Sequence, residues 1–402
     1  MALDKLKPIL EATLEESART GIRKRHERII TGRQPPANGY GPRYLLDGYE
    51  GRAFLRMNSN SYLGLHVHPR VIDAEERAAR HFGAGPGAVR FISGTHQPHI
   101  ELEQRLADFH GREAAMIFSA AYAAVMGVLP QLITSETLVV SDALNHNSII
   151  NALRLAQPYV RRIYGHLDIR ELDGILEQFT GEVKRVLVVT DGVFSMRGDF
   201  APLDEIREVC NRYQTLFEEG LIIAVDDSHG VGTLGALGRG TEERTAARAD
   251  IVIATMGKAL GVNGGYVAAD KTVIDYLRET APFYIYSNPM TPSETAAALE
   301  ALNILDSDEG LALLERVRRH AAILRKGLSE RGFETIGSEH PIVPLLIGDS
   351  DRTRKLVKNL FINQILATGI GYPVVPKGEE EIRFQVTAEH TEKDIGFLLD
   401  HL

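Results

Sequence analysis

Two short apolar segments that each end in polar residues constrain the fold of this chain most strongly. Ile222–Val225 and Ile251–Ala254 are rich in β-branched side chains and have the length of buried parallel strands. The first leads into the polar run DDSH that begins at Asp226, and the second leads to Lys258. Ligand sites of open α/β sheets lie at the carboxyl ends of such strands. We therefore predict an α/β fold with a ligand site between Asp226 and Lys258.

The position of Lys258 is unusual for a surface charge, because it follows a buried strand and has glycines nearby in the run TMGKALG. Burial lowers the pKa of an amine, and a neutral amine can attack an aldehyde to form a Schiff base. We therefore predict that Lys258 is a covalent anchor for a cofactor. Asp226 and His229 suit a flat heteroaromatic ring, because a carboxylate keeps a ring nitrogen protonated and an imidazole can contact a ring oxygen.

The runs D-D-S-H and T-M-G-K-A-L-G, in this order, make the chain similar to the α-oxoamine synthases, which are fold type I enzymes that depend on pyridoxal 5′-phosphate (PLP). The family includes glycine C-acetyltransferase, 8-amino-7-oxononanoate synthase, 5-aminolevulinate synthase and serine palmitoyltransferase. Matching motifs extend from Asn58 to His390. The resemblance implies PLP as cofactor and an α/β fold, with a large, mostly parallel-sheet domain and a smaller C-terminal α+β domain.

Composition and charge narrow the class of partners. The net charge of −9 over 402 residues argues against nucleic acid or an anionic membrane, which are bound through clustered Lys and Arg. A single cysteine, Cys210, excludes an intramolecular disulfide and a Cys-rich zinc site, and we predict no metal site. The first residues lack the pattern of a signal peptide, and no apolar segment approaches the roughly 20 residues of a membrane span. We expect a cytoplasmic protein.

The chain is predicted to have three parts. Residues 1–57 form an N-terminal arm, with an amphipathic helix to about residue 30, a connector rich in Gly and Pro over 31–41, and a hairpin. Residues 58–291 form the large PLP-binding domain. Residues 292–402 begin with helical patterns and then alternate strand and helix, which indicates a separate small domain.

Further motifs predict how the cofactor is held. A strand-turn-helix pattern with small residues predicts that the backbone amides of Ala121 and Tyr122 bind a phosphate. His146 alone indicates a hydrogen-bonded loop residue, but its segment DALNHNS is similar to the family's D-x-x-N-H-A-S, which implies that the imidazole stacks on the pyridine ring. In D-G-V-F-S-M the resemblance places Ser195 near the phenolic oxygen of the cofactor. Thr255 can hydrogen-bond the phosphate.

The segment PFYIYSNPMTP implies an active site shared between two chains. Its resemblance to the family implies that Ser287 and Asn288 contact the cofactor phosphate of the neighbouring subunit, and hence a homodimer. Two residues depart from the family pattern near the site, Val125 in place of an asparagine and Pro289 in place of a small residue.

Three residues are predicted to bind substrate. Arg383 lies in a segment similar to the family's V-P-x-G-x-x-x-[IL]-R, and an arginine fork matches a carboxylate in geometry, although a surface salt bridge is the alternative. The run NSNSYLGL is similar to the family's S-N-x-Y-L-G-L, which implies that Asn60 lies near the amino-acid substrate. The run alone is more typical of a polar turn with Tyr62 and Leu63 packed below it. Arg23, in a basic cluster, is a candidate near a substrate entrance.

The resemblance implies an acyltransferase that condenses a small amino acid with an acyl thioester of coenzyme A or of acyl carrier protein. Lys258, Asp226, His146 and His229 are the predicted catalytic residues. The runs VTDGVFSM, VDDSHGVG, GKALG and YSN are nearest to glycine C-acetyltransferase. An 8-amino-7-oxononanoate synthase or a specialised long-chain or carrier-protein-dependent synthase is one alternative. A PLP aminotransferase and a cofactor-free structural protein are the others.

Overall fold

The N-terminal part of the chain combines a helix that has exposed apolar side chains with a small antiparallel sheet. The structure is a computed structural model that describes residues 2–19, 27–372 and 374–402. Its first elements are α1 (Ala2–Arg19), β1 (Ile30–Gln34), β2 (Arg43–Leu46) and β3 (Ala53–Arg56). The hairpin is formed by β2 and β3, and β1 pairs with β2 inside the segment that was expected to be a connector. That part of the prediction was wrong, because β1 is an exposed edge strand without an apolar pattern.

The predicted N-terminal helix ends at Arg19 within the described residues, and residues 20–26 lie outside them. Its apolar side chains, including Leu3 and Ile9, are exposed. Across the described ranges, no helix combines the length and the apolar composition needed to cross a membrane.

The large central sheet carries the strand ends from which the site is built. The central elements are α2 (Pro69–Phe82), α3 (Gln97–His110), β4 (Ala114–Phe118), α4 (Ala121–Val128), β5 (Thr137–Asp142), α5 (Asn147–Leu155), β6 (Val160–Tyr164), α6 (Ile169–Gln178), β7 (Arg185–Asp191), α7 (Leu203–Tyr213), β8 (Leu221–Asp226), α8 (Thr241–Thr245), β9 (Ile251–Thr255), β10 (Gly265–Ala269), α9 (Lys271–Thr280) and α10 (Pro282–Ile285). In the described part of the chain the sheet has seven strands, in the order β4-β10-β9-β8-β7-β5-β6. Neighbours from β9 to β6 are parallel, and β10 is antiparallel to both β4 and β9.

These central strands are buried along almost their whole length, which explains their continuous apolar sequences. Their register decides which polar residues meet, since β7 and β8 pair so that Asp191 lies opposite Asp226. The polar residues that follow β5, β7, β8 and β9 therefore gather at one edge of the sheet.

The C-terminal part forms a smaller α+β unit. It contains α11 (Pro292–Leu305), α12 (Asp308–Glu330), β11 (Glu334–Thr335), β12 (Ile342–Leu346), α13 (Ser350–Ile362), β13 (Ile365–Leu366), β14 (Thr368–Ile370), β15 (Glu381–Gln385) and α14 (Glu392–Leu399). The order of its antiparallel sheet is β11-β12-β15-β14. A large, mostly parallel sheet with a smaller C-terminal α+β part confirms the predicted fold class. The boundaries after residues 57 and 291 stay a prediction, since β3 pairs with β13 and α11 packs on α2 and α3.

Candidate active site

A cleft opens at the carboxyl ends of the central strands. Its walls come from the start of α4, the turns after β5, β7 and β8, and the loop after β9. The lining residues are Ala121, Tyr122, His146, Ser148, Asp191, Val193, Ser195, Asp226, Ser228, His229, Thr255 and Lys258. The fold therefore brings together the four predicted catalytic residues and four further predicted cofactor contacts, although they are distant in sequence.

The amine of Lys258 has the electrostatic character of a nucleophile. Burial in the cleft lowers the pKa of Lys258 to about 8, and Arg383 acts in the same direction, whereas Asp226 and Asp191 oppose the shift. About a tenth of this amine is uncharged at pH 7, a far larger share than for a lysine with the ordinary pKa. It can therefore attack an aldehyde or accept a proton.

Two carboxyl groups lie side by side at the ends of β7 and β8. Asp226 accepts a hydrogen bond from the backbone N–H of Ser228 at 3.2 Å. Asp191 Oδ2 accepts one from the N–H of His146 at 3.0 Å, and its Oδ1 has no hydrogen-bond partner among the described residues. Burial and then the neighbouring Asp226 raise the pKa of Asp191 well above its ordinary value. Both causes favour the protonated form of Asp191.

Sequence reasoning did not assign Asp191 to the site, although the position itself carried a signal. Asp191 ends a buried strand in the same way that Asp226 does. Its motif was interpreted only through Ser195, which also lines the cleft.

The second aspartate of the DDSH run has a different role from the first. Asp227 is buried and accepts hydrogen bonds from the backbone N–H of Thr241 at 2.7 Å and from the Thr241 hydroxyl at 2.6 Å. A Cβ atom at Gly240 would lie 1.9 Å from Asp227 Oδ2, so only glycine fits there. Burial raises the pKa of Asp227 to about 7. Asp227 fixes the loop, and Asp226 faces the cleft.

Both predicted histidines line the cleft as neutral imidazoles. His146 Nδ1 is 3.2 Å from the backbone nitrogen of Ser148 and 2.7 Å from its hydroxyl, so this ring caps the start of α5. Burial lowers the pKa of His146, and burial followed by the charge of Lys258 lowers that of His229 well below its ordinary value. Each ring can therefore contact a flat cofactor without carrying a charge of its own.

Tyr62 is a further residue that sequence reasoning missed. It is fully buried, as packing below a turn would require, but its hydroxyl also lies 2.8 Å from His229 Nδ1. This contact fixes the orientation of the ring and leaves Nε2 as the nitrogen available to a ligand. A tyrosine that follows a polar turn has no sequence signal that separates packing from such a contact.

The start of α4 has the features of a phosphate site. The helix begins at Ala121, and no side chain in the described ranges caps it, so its first N–H groups can bind an anion. A Cβ atom at Gly265 would lie 2.3 Å from the backbone nitrogen of Ala121. Glycine there lets the helix start against β10.

The hydroxyl of Thr255 accepts a hydrogen bond from Gly257 N–H at 3.1 Å and thereby orders the loop that carries Lys258.

Two of the predicted substrate residues lie on the small-domain side of the site: Arg383 is part of β15, and Asn60 contacts this strand. Arg383 Nη1 donates to the backbone carbonyl of Ser195 at 2.7 Å, and its buried Nε has no partner within the described part of the chain. Asn60 Oδ1 accepts a hydrogen bond from Gln385 Nε2. Arg383 and Gln385 are two positions apart on one strand, so their side chains share a face.

Five predicted residues are absent from the described lining of the cleft, and two of them are Arg383 and Asn60. Arg23 lies outside the described residues. Ser287 and Asn288 are absent from the described lining of the cleft. Because they were expected to contact the cofactor of a neighbouring subunit, their role stays a prediction.

The residues present fit PLP. The cofactor needs an amine for its aldehyde, a carboxylate for its ring nitrogen, a flat space for its ring and N–H donors for its phosphate. Lys258, Asp226, His146 and the start of α4 meet these needs around one cleft. Two buried oxygens at the cleft, Asp191 Oδ1 and Ser228 Oγ, also lack hydrogen-bond partners among the described residues. The fold and this site together define the class of fold type I PLP-dependent enzymes.

Comparison with known proteins gives the family. Residues 52–402 match the family described as aminotransferase class I and II. The chain belongs to this family and, within it, to the α-oxoamine synthase group. This confirms the predicted family, the PLP cofactor and the enzyme class.

Two curated relatives of similar identity carry different names. The 8-amino-7-oxononanoate synthase of Geobacter metallireducens is 41% identical over 385 residues, covering 95% of this chain and 94% of the relative. The mitochondrial 2-amino-3-ketobutyrate coenzyme A ligase of Bos taurus is 39% identical over 397 residues, covering 98% and 90%. A serine palmitoyltransferase structure from S. paucimobilis with a bound PLP–myriocin aldimine has a TM-score of 0.87 at 26% identity, covering 99% of this chain and 96% of that one.

Proposed function

We propose that the protein transfers an acyl group from a thioester to the α-carbon of a small amino acid, in the manner of glycine C-acetyltransferase, with glycine and acetyl-CoA as substrates. The observation that carries this proposal is the position of Arg383 beside the cleft of Lys258. Its guanidinium donates a hydrogen bond to the Ser195 carbonyl, and its Nε has no partner among the residues that the structure describes. A free N–H donor on a fixed guanidinium suits an amino-acid carboxylate.

Each cleft residue then has a defined task. Bound PLP supplies an electron sink for negative charge at the α-carbon. Lys258 Nζ takes the α-proton, because an amine with a pKa of about 8 is a competent base near neutral pH. Asp226 would hold the ring nitrogen of the bound cofactor, and His146 would contact its ring.

The acyl half of the reaction uses the other histidine. His229, oriented by Tyr62, places its remaining ring nitrogen where it can polarise the carbonyl of the thioester. The acyl carbon forms a bond to the α-carbon, and the bond to sulfur breaks with release of the thiol. Arg383, with Asn60 beside it, holds the amino acid by its carboxylate while this bond forms.

Thiol release, scanned over a grid of amino acids and acyl thioesters, tests the proposal. We expect the highest kcat/KM for glycine with acetyl-CoA. Selective release with alanine and a pimeloyl thioester would instead support the function named for the Geobacter relative. Formation of a keto acid without thiol release would overturn the proposal in favour of an aminotransferase.

We also propose a homodimer in which each site draws on both chains. Tyr286, beside Ser287 and Asn288, is 78% exposed, which leaves this segment accessible to a second copy. Mixing the inactive variants Lys258→Ala and Asn288→Ala should restore part of the thiol release, because one site of each mixed dimer keeps both residues. A mixture as inactive as its components would contradict the shared site.

A further inference from the structure

A second cavity lies beside the cofactor cleft. It has a volume of about 380 Å³ and lies between the turn after β7 and the small domain. Ser195 lines both the cleft and this cavity, so a group attached to a ligand in the cleft can extend into it. The apolar part of its wall consists of Leu144, Phe194, Met196, Ile336, Leu346, Ile347, Val374 and Val375. Such a wall suits a hydrocarbon chain.

The charges around this cavity are mostly negative. Glu334, Glu379 and Glu381 line it, and Arg197 is the one cation among its described lining residues. Arg197 is itself engaged, since its Nε lies 2.8 Å from a carboxylate oxygen of Asp199 and its Nη1 lies 3.9 Å from one of Glu379. A ligand that brings a further negative charge into the cavity is therefore opposed by the carboxylates.

Glu381 is the carboxylate with the most direct influence on a ligand. It is only 2% exposed, and its Oε1 has no hydrogen-bond partner in the part of the chain that the structure describes. It precedes Arg383 by two positions on β15, so both side chains share the face that meets the large domain. A buried carboxyl oxygen without a partner costs folding free energy, which is consistent with a group kept for contact with a ligand.

The protonation of Glu381 depends on its surroundings. Burial raises its pKa to about 7, the nearby guanidinium groups of Arg383 and Arg197 oppose the shift, and the carboxylates of Glu379 and Asp199 reinforce it. Glu381 therefore gains a negative charge as the pH rises through the neutral range.

We propose that this cavity holds the acyl group of the thioester, and that Glu381 makes it selective for uncharged acyl groups over those that end in a carboxylate. The inference rests on the proposed acyltransferase function and extends it to the acyl substrate. An uncharged acyl chain packs against the apolar wall of the cavity without an electrostatic penalty. An ω-carboxylate has to approach a like charge in a poorly solvated space.

Matched pairs of acyl thioesters test this selectivity. Butyryl-CoA and succinyl-CoA have equal numbers of acyl carbons, as do hexanoyl-CoA and adipoyl-CoA, and only the second of each pair carries a terminal carboxylate. We expect kcat/KM for the uncharged member to exceed that for the charged one by about 10-fold at pH 8. Two charges roughly 6 Å apart at an effective dielectric constant of about 20 would discriminate by about 100-fold. Because the pKa of Glu381 is about 7, about a tenth of this carboxyl group is still protonated at pH 8 and admits the charged thioester.

Glu381→Gln should reduce this ratio several-fold, because kcat/KM for the charged thioester rises relative to that for the uncharged one. Glu330→Gln, at an exposed position of α12, is the matched control and should keep the ratio of the parent protein. In the parent protein the ratio should also fall between pH 8 and pH 6, as Glu381 takes up a proton. This pH dependence needs no variant and should be absent in Glu381→Gln.

The outcomes separate the inference from the function on which it rests. Thiol release with a ratio that neither Glu381→Gln nor pH changes would overturn the role of Glu381. Release from acetyl-CoA alone would overturn the assignment of the cavity to the acyl group. Absence of thiol release from every thioester would instead reject the acyltransferase function itself.

Discussion

Two histidines near the carboxyl ends of the central strands have opposite environments. His166 lies between two carboxylates, with its ring nitrogens 3.2 Å from oxygens of Asp142 and Asp199. Burial alone would lower the pKa of His166, but the two carboxylates outweigh it and raise the pKa to about 9. His229 has the hydroxyl of Tyr62 as its side-chain partner, and burial lowers its pKa well below the ordinary value.

The two environments at this one sheet indicate a structural role for His166 and a chemical role for His229. Around His166 the fold supplies a partner for each charge, so the cluster stabilises the turn that carries Phe194, against which His166 packs edge to face. Around His229 and Lys258 the fold removes water without supplying complete partners. A ligand that supplies the missing partners would stabilise these groups. Perturbed pKa values are typical of functional sites.

The largest expected effect concerns the amine of the cleft. Lys258→Ala should reduce thiol release by at least about 10⁴-fold, because no other group replaces both the covalent anchor and the base. Borohydride treatment should attach the cofactor irreversibly to the parent protein and not to this variant. Lys271→Ala removes an exposed lysine that pairs with Asp275 and should behave as the parent does. A yellow, reducible Lys258→Ala protein would contradict the role of this residue.

A pair of adjacent aspartates sharpens the contrast between the two kinds of environment. Asp226→Asn should lower kcat on the order of 10²-fold with little change in stability, because its carboxylate serves the cofactor. Asp227→Asn should lower the free energy of unfolding by about 1–3 kcal/mol, since it weakens two buried hydrogen bonds to Thr241. Steady-state kinetics measures the change in kcat of both variants, and urea unfolding measures the change in their free energy of unfolding. Equal catalytic losses in the two would show that the neighbours are not divided in this way.

The His166 cluster makes a prediction about pH and stability. The pKa of His166 is about 9 in the folded protein and about 6.5 when unfolded, so its ion pairs stabilise the fold fully below pH 6.5 and lose this effect as the pH rises through 9. His166→Gln should therefore lower the free energy of unfolding by about 1–3 kcal/mol at pH 6 and by much less above pH 9. Urea titrations at several pH values test this. A stability difference that does not change with pH would exclude the charged cluster.

The smallest effect is expected at Tyr62. Tyr62→Phe removes the hydroxyl that orients His229 and should lower kcat by about 2- to 10-fold, with KM for the amino acid nearly unchanged. Tyr213→Phe removes a hydroxyl bound to Asp173, remote from the cleft, and serves as the control. If both variants lowered kcat equally, the contact with His229 would have no particular role.

Sequence patterns predicted the parts of the site that follow buried strands. Asp226, His229 and Lys258 were predictable because apolar runs mark the strands and polar residues mark their ends. Asp191 also follows a buried strand, but its motif was interpreted only through Ser195. Tyr62 and Glu381 could not be predicted, because their roles arise from contacts across elements that lie far apart in sequence. The edge strand β1 was missed because it has no apolar alternation.

The hydrogen bond from Arg383 to the carbonyl of Ser195 connects the side chain that we propose to bind the amino-acid carboxylate to the residue that lines both cavities. Because the acceptor belongs to the main chain, no replacement of the serine side chain can remove it. A shift of β15 that reshaped the second cavity would therefore also displace the guanidinium. A substitution that moves this strand is therefore expected to change the preference for the acyl thioester and the preference for the amino acid together.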